Sequence, residues 1–181
     1  GKVKLEVTAG QGIAYSLFYD GRLLLKPSRI ALHTDLPEAD HWENIRITGT
    51  KQRHVSETVQ APFYRVKEFG IDCKELELRL NNGFSLLMRA YNDGMAYQFV
   101  AGRKGEMTVV EERAEFNFAD DFEAYIPYST NPKDPWNMAF QNFYTKAPLT
   151  QYNTELPAFL PLTVDAGAVK LTLLESDLEA Y

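Results

Sequence analysis

The sequence predicts an all-β fold, a large antiparallel β-sandwich with little helix. Three observations carry that expectation: period-two alternation, tight-turn signals between the alternating runs, and the lack of a sustained 3.6-residue apolar stripe. Leu76-Glu77-Leu78-Arg79-Leu80 shows the alternation most cleanly, since successive side chains of a strand point to opposite faces. It runs into Asn81-Asn82-Gly83 and then the apolar-rich run from Phe84 to Tyr91, and the Asn-Gly pair is expected to supply the positive φ values of a tight hairpin. Asn92-Asp93-Gly94 separates that strand from Met95-Ala96-Tyr97-Gln98-Phe99-Val100, completing a meander of three antiparallel strands.

The remaining elements follow the same rules. Lys4 to Thr8 and Ile13 to Tyr19 flank Gly10-Gln11-Gly12, and Asp20-Gly21 turns the chain toward Arg22-Leu23-Leu24-Leu25, giving a first meander. Later strands are expected at Met107 to Glu112, Ala114 to Phe118, Ala124 to Pro127, Phe159 to Val164 and Val169 to Leu174. The one helix start is Ser176 with Glu179 three positions on, a capping-box pattern. Two loops stand out by composition and carry large aromatics: Leu36 to Trp42, and the stretch from Ser129 through Gln151 with Pro132, Pro135 and Pro148. Loops of this composition are packed or functional more often than they are linkers.

With 181 residues the chain reads as a single sandwich domain, residues 1–181, large enough to bury one core. Asp and Glu number 25 against 19 Lys and Arg, a net charge of -6, and the cations are scattered, so no basic face exists to neutralise nucleic-acid phosphates. No apolar run reaches the roughly 18 residues that span a bilayer. Cys73 is the only cysteine, which rules out an intramolecular disulfide. A start at Gly1 and an end inside a patterned segment read as a piece of a longer polypeptide.

Chemical motifs are sparse. There is no Gly-rich phosphate loop, no paired cysteine for zinc and no Gly-x-Ser-x-Gly elbow. His33, His41 and His54 lack ligand spacing and are expected in surface or core roles. Glycoside hydrolysis needs two carboxylates facing each other across a bond. The acidic run Glu111-Glu112, Glu115, Asp120-Asp121 and Glu123 reads instead as a solvated strand face and turn, and no catalytic residue is singled out. Trp42, Trp136, Tyr125 and Tyr128 lie in or beside loops, where such rings either stack on sugar faces or fill the core. Glu175 follows the strand ending at Leu174 and precedes Ser176, so its carboxylate is expected at the rim of a sheet, either solvated or as part of a hard-cation site completed by other segments.

Three stretches carry a family resemblance: Arg89-Ala90-Tyr91-Asn92-Asp93-Gly94-Met95-Ala96-Tyr97, Glu115-Phe116-Asn117-Phe118 through Ile126-Pro127-Tyr128-Ser129-Thr130-Asn131, and Leu171-Thr172-Leu173-Leu174-Glu175-Ser176-Asp177-Leu178. With Tyr19-Asp20-Gly21-Arg22, Leu25-Lys26-Pro27-Ser28 and Tyr144-Thr145-Lys146-Ala147-Pro148-Leu149, they resemble the amino-terminal domain of glycoside hydrolase family 97 along essentially the whole chain. That resemblance implies a galactose-mutarotase-like super-sandwich, followed in the full enzyme by a catalytic (β/α)₈ barrel and a small carboxy-terminal β domain. It implies a periplasmic or otherwise exported bacterial α-glucosidase or α-galactosidase whose catalytic carboxylates lie in the barrel, with a calcium ion near the sugar. Glu175 matches the position expected to lend a calcium ligand. The segment from Pro127 to Trp136, with Tyr128 and Trp136, is expected to face the barrel or rim the substrate pocket, although Pro132-Lys133-Asp134-Pro135-Trp136-Asn137 departs from the family pattern.

Two readings follow. In one, the chain is a non-catalytic support domain whose partners are the barrel of its own polypeptide and an α-linked oligosaccharide, inactive alone and prone to self-association through the face cut from the barrel. In the other it is a free-standing carbohydrate-binding or mutarotase-like module with an aromatic groove on one sheet.

Overall fold

The computed structural model describes residues 1–60, 65, 67–137 and 142–176. It is 56% strand and 2% helix, with three antiparallel sheets, so the all-β sandwich expectation holds. The chain divides into two compact units, Gly1–Asn117 and Phe118–Tyr181.

Unit one contains β1 (Val3–Gly10), β2 (Gly12–Tyr19), β3 (Arg22–Thr34), β4 (Ile47–Gln60), β5 (Glu68–Leu80), β6 (Phe84–Ala90), β7 (Met95–Ala101) and β8 (Val109–Ala114). They form two sheets of order β1-β2-β3-β8 and β4-β5-β6-β7. The inner faces meet, with the Tyr15 ring of β2 lying 6.0 Å from that of Tyr97 on β7. Alternation explains which residues face inward: Ile13 and Tyr15 on β2, Ile30 on β3, and Leu78, Leu86 and Met88 on β5 and β6 are all buried. Burial pushes the Tyr15 phenol well above its ordinary value, so it stays neutral and donates to the Glu115 carbonyl oxygen at 3.2 Å.

The turns follow their residues, with one correction. Asp20 at φ 49 and Gly21 at φ 80 make the two-residue turn joining β2 to β3, since Tyr19 pairs with Arg22. Between β5 and β6 only Gly83 takes a positive φ, 87, and the loop is three residues long; Asn82 instead turns its side chain inward, accepting from the Phe84 amide at 3.2 Å.

On the outer face of the second sheet, Arg53, Glu75 and Arg89 stand in one row across β4, β5 and β6. The Glu75 carboxylate is 4% exposed and accepts from Arg53 Nε at 2.5 Å and Arg89 Nε at 2.7 Å. Those hydrogen bonds, Arg53's first, hold its pKa below the usual carboxylate range against the opposing effect of burial. β6 pairs with β5 only as far as Lys74 opposite Ala90, so beyond that point β4 and β5 continue as a two-stranded ribbon.

Unit two contains β9 (Glu123–Ile126), β10 (Thr145–Pro148), a single 3-10 turn at Leu149–Gln151, β11 (Leu162–Asp165) and β12 (Lys170–Leu173), in sheet order β10-β9-β11-β12. Ala124, Ile126 and Val164 are fully buried. Asp121 ties the turn down, its carboxylate accepting from the Thr150 amide at 2.9 Å and hydroxyl at 2.8 Å, which lowers its pKa.

Several predicted boundaries move for identifiable reasons. The separate strand expected at Ala114 to Phe118 does not form, β8 ending at Ala114, because the Glu115 carboxylate takes the Arg29 amide at 2.9 Å and the Ser28 hydroxyl takes the Asn117 amide at 2.9 Å in place of a regular ladder. The strand expected from Phe159 begins at Leu162: the Phe159 amide bonds to the Pro127 carbonyl, and Pro161 has no amide to donate. β4 was not anticipated, since Ile47-Thr48-Gly49-Thr50-Lys51-Gln52-Arg53-His54 is mostly polar, and β10 lies inside the stretch read as a long loop. The Ser176 to Glu179 capping box falls partly outside the described residues, as do Asp177 and Leu178.

Candidate functional site

Unit two holds a cleft of about 250 Å³ lined by Pro127, Tyr128, Asn142, Tyr144, Phe159, Leu160 and Pro161. Its back wall is an extension of β9. The Ser129 amide donates to the Pro157 carbonyl at 2.8 Å, the Phe159 amide donates to Pro127 at 3.0 Å, and Tyr128 bridges antiparallel to Ala158. The Tyr128 hydroxyl accepts from the Asn153 amide at 2.7 Å and its ring leans on Tyr152 at 5.3 Å, so both ends of this side chain are fixed. The Asn142 side-chain Nδ2 donates to the Tyr128 carbonyl at 3.5 Å, and the Tyr144 hydroxyl donates to the Pro161 carbonyl at 3.4 Å.

The loop beside the cleft is built from its first residues upward. Ser129 is fully buried and its hydroxyl accepts from the Asn131 amide at 3.3 Å, while the Asn131 side-chain oxygen accepts from the Lys133 and Asp134 amides at 3.2 and 3.3 Å. This self-contained turn projects Trp136, which is 75% exposed and edge-on to Phe159 at 5.9 Å. Tyr144 and Leu160 are about half exposed, at 48% and 49%. Exposed ring faces around a concave floor, with an amide among the lining groups, suit the alternating C–H and hydroxyl surface of a sugar. Among the described residues that line the cleft, none carries a carboxyl group of the kind glycoside hydrolysis uses in pairs.

A larger, shallower cleft in unit one, about 410 Å³, is lined by Gly10, His41, Asn44, Ile45, Arg46 and Asn81. Its most polar wall is already engaged: the Asn81 side chain accepts from the Arg46 amide at 2.9 Å and donates to the Asn44 carbonyl at 3.2 Å. It is a loop junction, and its volume alone does not outweigh the chemistry of the aromatic cleft.

The other candidates divide sharply. Trp42 is 6% exposed, parallel to Phe84 at 6.0 Å and edge-on to Phe99 at 5.4 Å, so its loop fills the core of unit one rather than meeting a ligand. Glu175 lies two residues past β12 and is exposed. Among the described residues no three His, Cys, Asp or Glu side chains converge, so Glu175 suits a calcium ion only as one arm of a site whose other oxygens come from elsewhere. The acidic run is employed locally, with Glu123 paired to Lys146 at 2.7 Å and Glu115 paired to Arg113. His33 is bonded to Asp40 at 2.8 Å and His54 to Asp72. Tyr144, Asn142 and Phe159 were not singled out from sequence as cleft residues; the aromatic pair Phe143-Tyr144 and the run Phe159-Leu160-Pro161 were the signal available.

The sequence profile described as "Glycosyl-hydrolase 97 N-terminal" matches residues 1–181. A retaining alpha-galactosidase of Bacteroides thetaiotaomicron is 38% identical across 100% of this chain, which covers 28% of that protein. A probable retaining alpha-galactosidase of Streptomyces bingchenggensis is 25% identical over 83% of the chain and 24% of its own length. Among solved structures, a glycoside hydrolase family 97 enzyme from Pseudoalteromonas sp. strain K8 in complex with panose superposes with a TM-score of 0.73 at 16% identity, covering 91% of this chain and 25% of that one. A beta-arabinopyranosidase superposes with a TM-score of 0.68 at 20% identity, covering 80% and 24%. The chain thus spans about a quarter of each of these relatives. By its full-length profile match and its 38% identical relative, the chain belongs to the glycosyl-hydrolase 97 amino-terminal family.

Proposed function

We propose that the chain is the non-catalytic amino-terminal domain of an exported, periplasmic bacterial glycoside hydrolase acting on α-galactosides or α-glucosides, with the catalytic barrel in the same polypeptide. The observation that carries this reading is the family match along the entire chain to proteins about four times its length. The 38% identical relative is a retaining alpha-galactosidase, which favours α-galactosides and retention over the other choices.

In this reading the aromatic cleft, with Tyr128 fixed behind it and Trp136 exposed beside it, forms one side of the oligosaccharide pocket. Glu175 contributes one oxygen to a calcium site completed by the barrel, where the bound ion supplies positive charge beside the sugar. The full-length polypeptide is expected to hydrolyse p-nitrophenyl α-galactoside, and the polypeptide of residues 1–181 to leave it intact. Turnover by residues 1–181 alone overturns the assignment. Glu175→Gln in the full-length protein is expected to weaken calcium binding about tenfold or more, read by calorimetry; unchanged affinity removes Glu175 from the site.

The same cleft also favours the second reading, a free-standing sugar-binding module. Calorimetric titration of residues 1–181 with maltooligosaccharides and galactosides separates the two: heat that disappears in Trp136→Ala supports the module, and silence with activity in the full-length polypeptide supports the support domain.

A further inference from the structure

The alternation along β5 changes phase. Apolar residues occupy Phe69, Ile71 and Cys73, and then Leu76, Leu78 and Leu80, so the odd-numbered face is apolar before Lys74 and the even-numbered face after Glu75. A bulge would account for such a shift, but the pairing of β4 with β5 runs without interruption from Gly49 opposite Arg79 to Gln60 opposite Glu68. The apolar surface therefore changes sides. Near the sandwich the inner face carries Leu76, Leu78 and Leu80; along the ribbon the opposite face carries the pairs Val55–Cys73 and Val59–Phe69, with Ile71 and its exposed partner Glu57 between them.

Exposure along that stripe rises outward. Val55 and Cys73 are 4% and 3% exposed, whereas Val59 and Phe69 are 40% and 44% exposed. The reverse face of the ribbon bears Ser56, Thr58, Gln60, Glu68 and Asp72, all exposed, with Gln60 donating to Glu68 at 2.8 Å. A two-stranded ribbon is marginal in water without a third element against its apolar face. The stripe begins under cover and runs out past it, and this continuity identifies a surface meant to be covered further along.

We propose that the Val59, Phe69 and Ile71 face of the β4–β5 ribbon is a docking surface for the catalytic domain of the same polypeptide. This rests on the support-domain reading. The occupant follows from the length outside this chain, which covers only 28% of its 38% identical relative. A tethered domain also meets the ribbon at an effective concentration on the order of millimolar, so a small apolar contact suffices to hold it.

The test uses the full-length polypeptide with p-benzoylphenylalanine in place of Phe69, irradiated and mapped by mass spectrometry. The expected product is an intramolecular crosslink from position 69 to a peptide beyond residue 181, with none from the same probe at Thr58 on the reverse face. Crosslinks confined to residues 1–181, crosslinks joining two polypeptides, or no crosslink each overturn the proposal. In parallel, Phe69→Asp is expected to reduce amide protection in residues 55–60 and 68–73 about tenfold, with Thr58→Asp leaving it unchanged; equal effects of both also overturn it. Hydrolysis of an α-galactoside by the same preparation reports separately on the functional reading, so an active enzyme without the crosslink loses only the docking surface.

Discussion

Trp42 and Trp136 occupy loops that look alike in sequence, both aromatic and both punctuated by proline, yet one ring is 6% exposed and the other 75%. The difference lies in what each loop leans on. Trp42 meets Phe84 and Phe99 from the meander of the second sheet, an apolar surface already assembled by alternation. The loop of Trp136 is held by its own Ser129 and Asn131 hydrogen bonds, so its ring is not needed to keep it in place. A loop that depends on its aromatic for stability buries it, and a loop that is stable without it can offer it to a ligand.

The largest effect should come from Trp42→Ala, expected to cost about 3–5 kcal/mol in a denaturant titration because it empties a packed site. Trp42→Phe should cost under about 1.5 kcal/mol, since the buried indole nitrogen has no hydrogen-bond partner among the described residues and only ring volume is lost. A heavy loss in the Phe variant would show that the nitrogen matters.

Next comes Glu75→Gln, at about 1–2 kcal/mol, from the weakening of two charge-assisted hydrogen bonds to Arg53 and Arg89. Because the native carboxyl pKa is lowered, first by Arg53, its contribution is fully present above the ordinary carboxylate pKa and fades as pH falls through the native value. The stability gap between parent and variant should therefore shrink in acid, and a gap that widens there would contradict the pairing.

The smallest stability effect is expected for Trp136→Ala, within about 0.5 kcal/mol, together with a rise in KM of about 3- to 10-fold in the full-length enzyme. A large fall in melting temperature would place this ring with Trp42 as a packing residue and break the contrast.

Much of unit one was legible because its strands bury one face: the Leu76 to Val100 meander and the Asp20-Gly21 turn follow from local alternation and turn chemistry. β4 was not, since a strand at a sheet edge with both faces largely wet has no apolar period to read. The phase change at Lys74 and Glu75 was present in the sequence, but its meaning required the register, which distinguishes a change of face from a bulge. In the aromatic cleft, Tyr128 and Trp136 could be named as candidates, whereas Asn142, Tyr144 and Phe159 are brought beside Tyr128 by a return of the chain that no local pattern encodes.

The pairing of β3 with β8 also sets a schedule for synthesis. Ile30 pairs with Ala114, so about 80 residues must leave the ribosome before the edge of β3 meets its partner, a wait of roughly 4 to 16 s at 5–20 residues per second. During that interval the nascent chain carries an open strand edge bearing Ile30 and Leu32, both buried in the finished fold. Nascent chains that stall within this window would be the ones most in need of a chaperone.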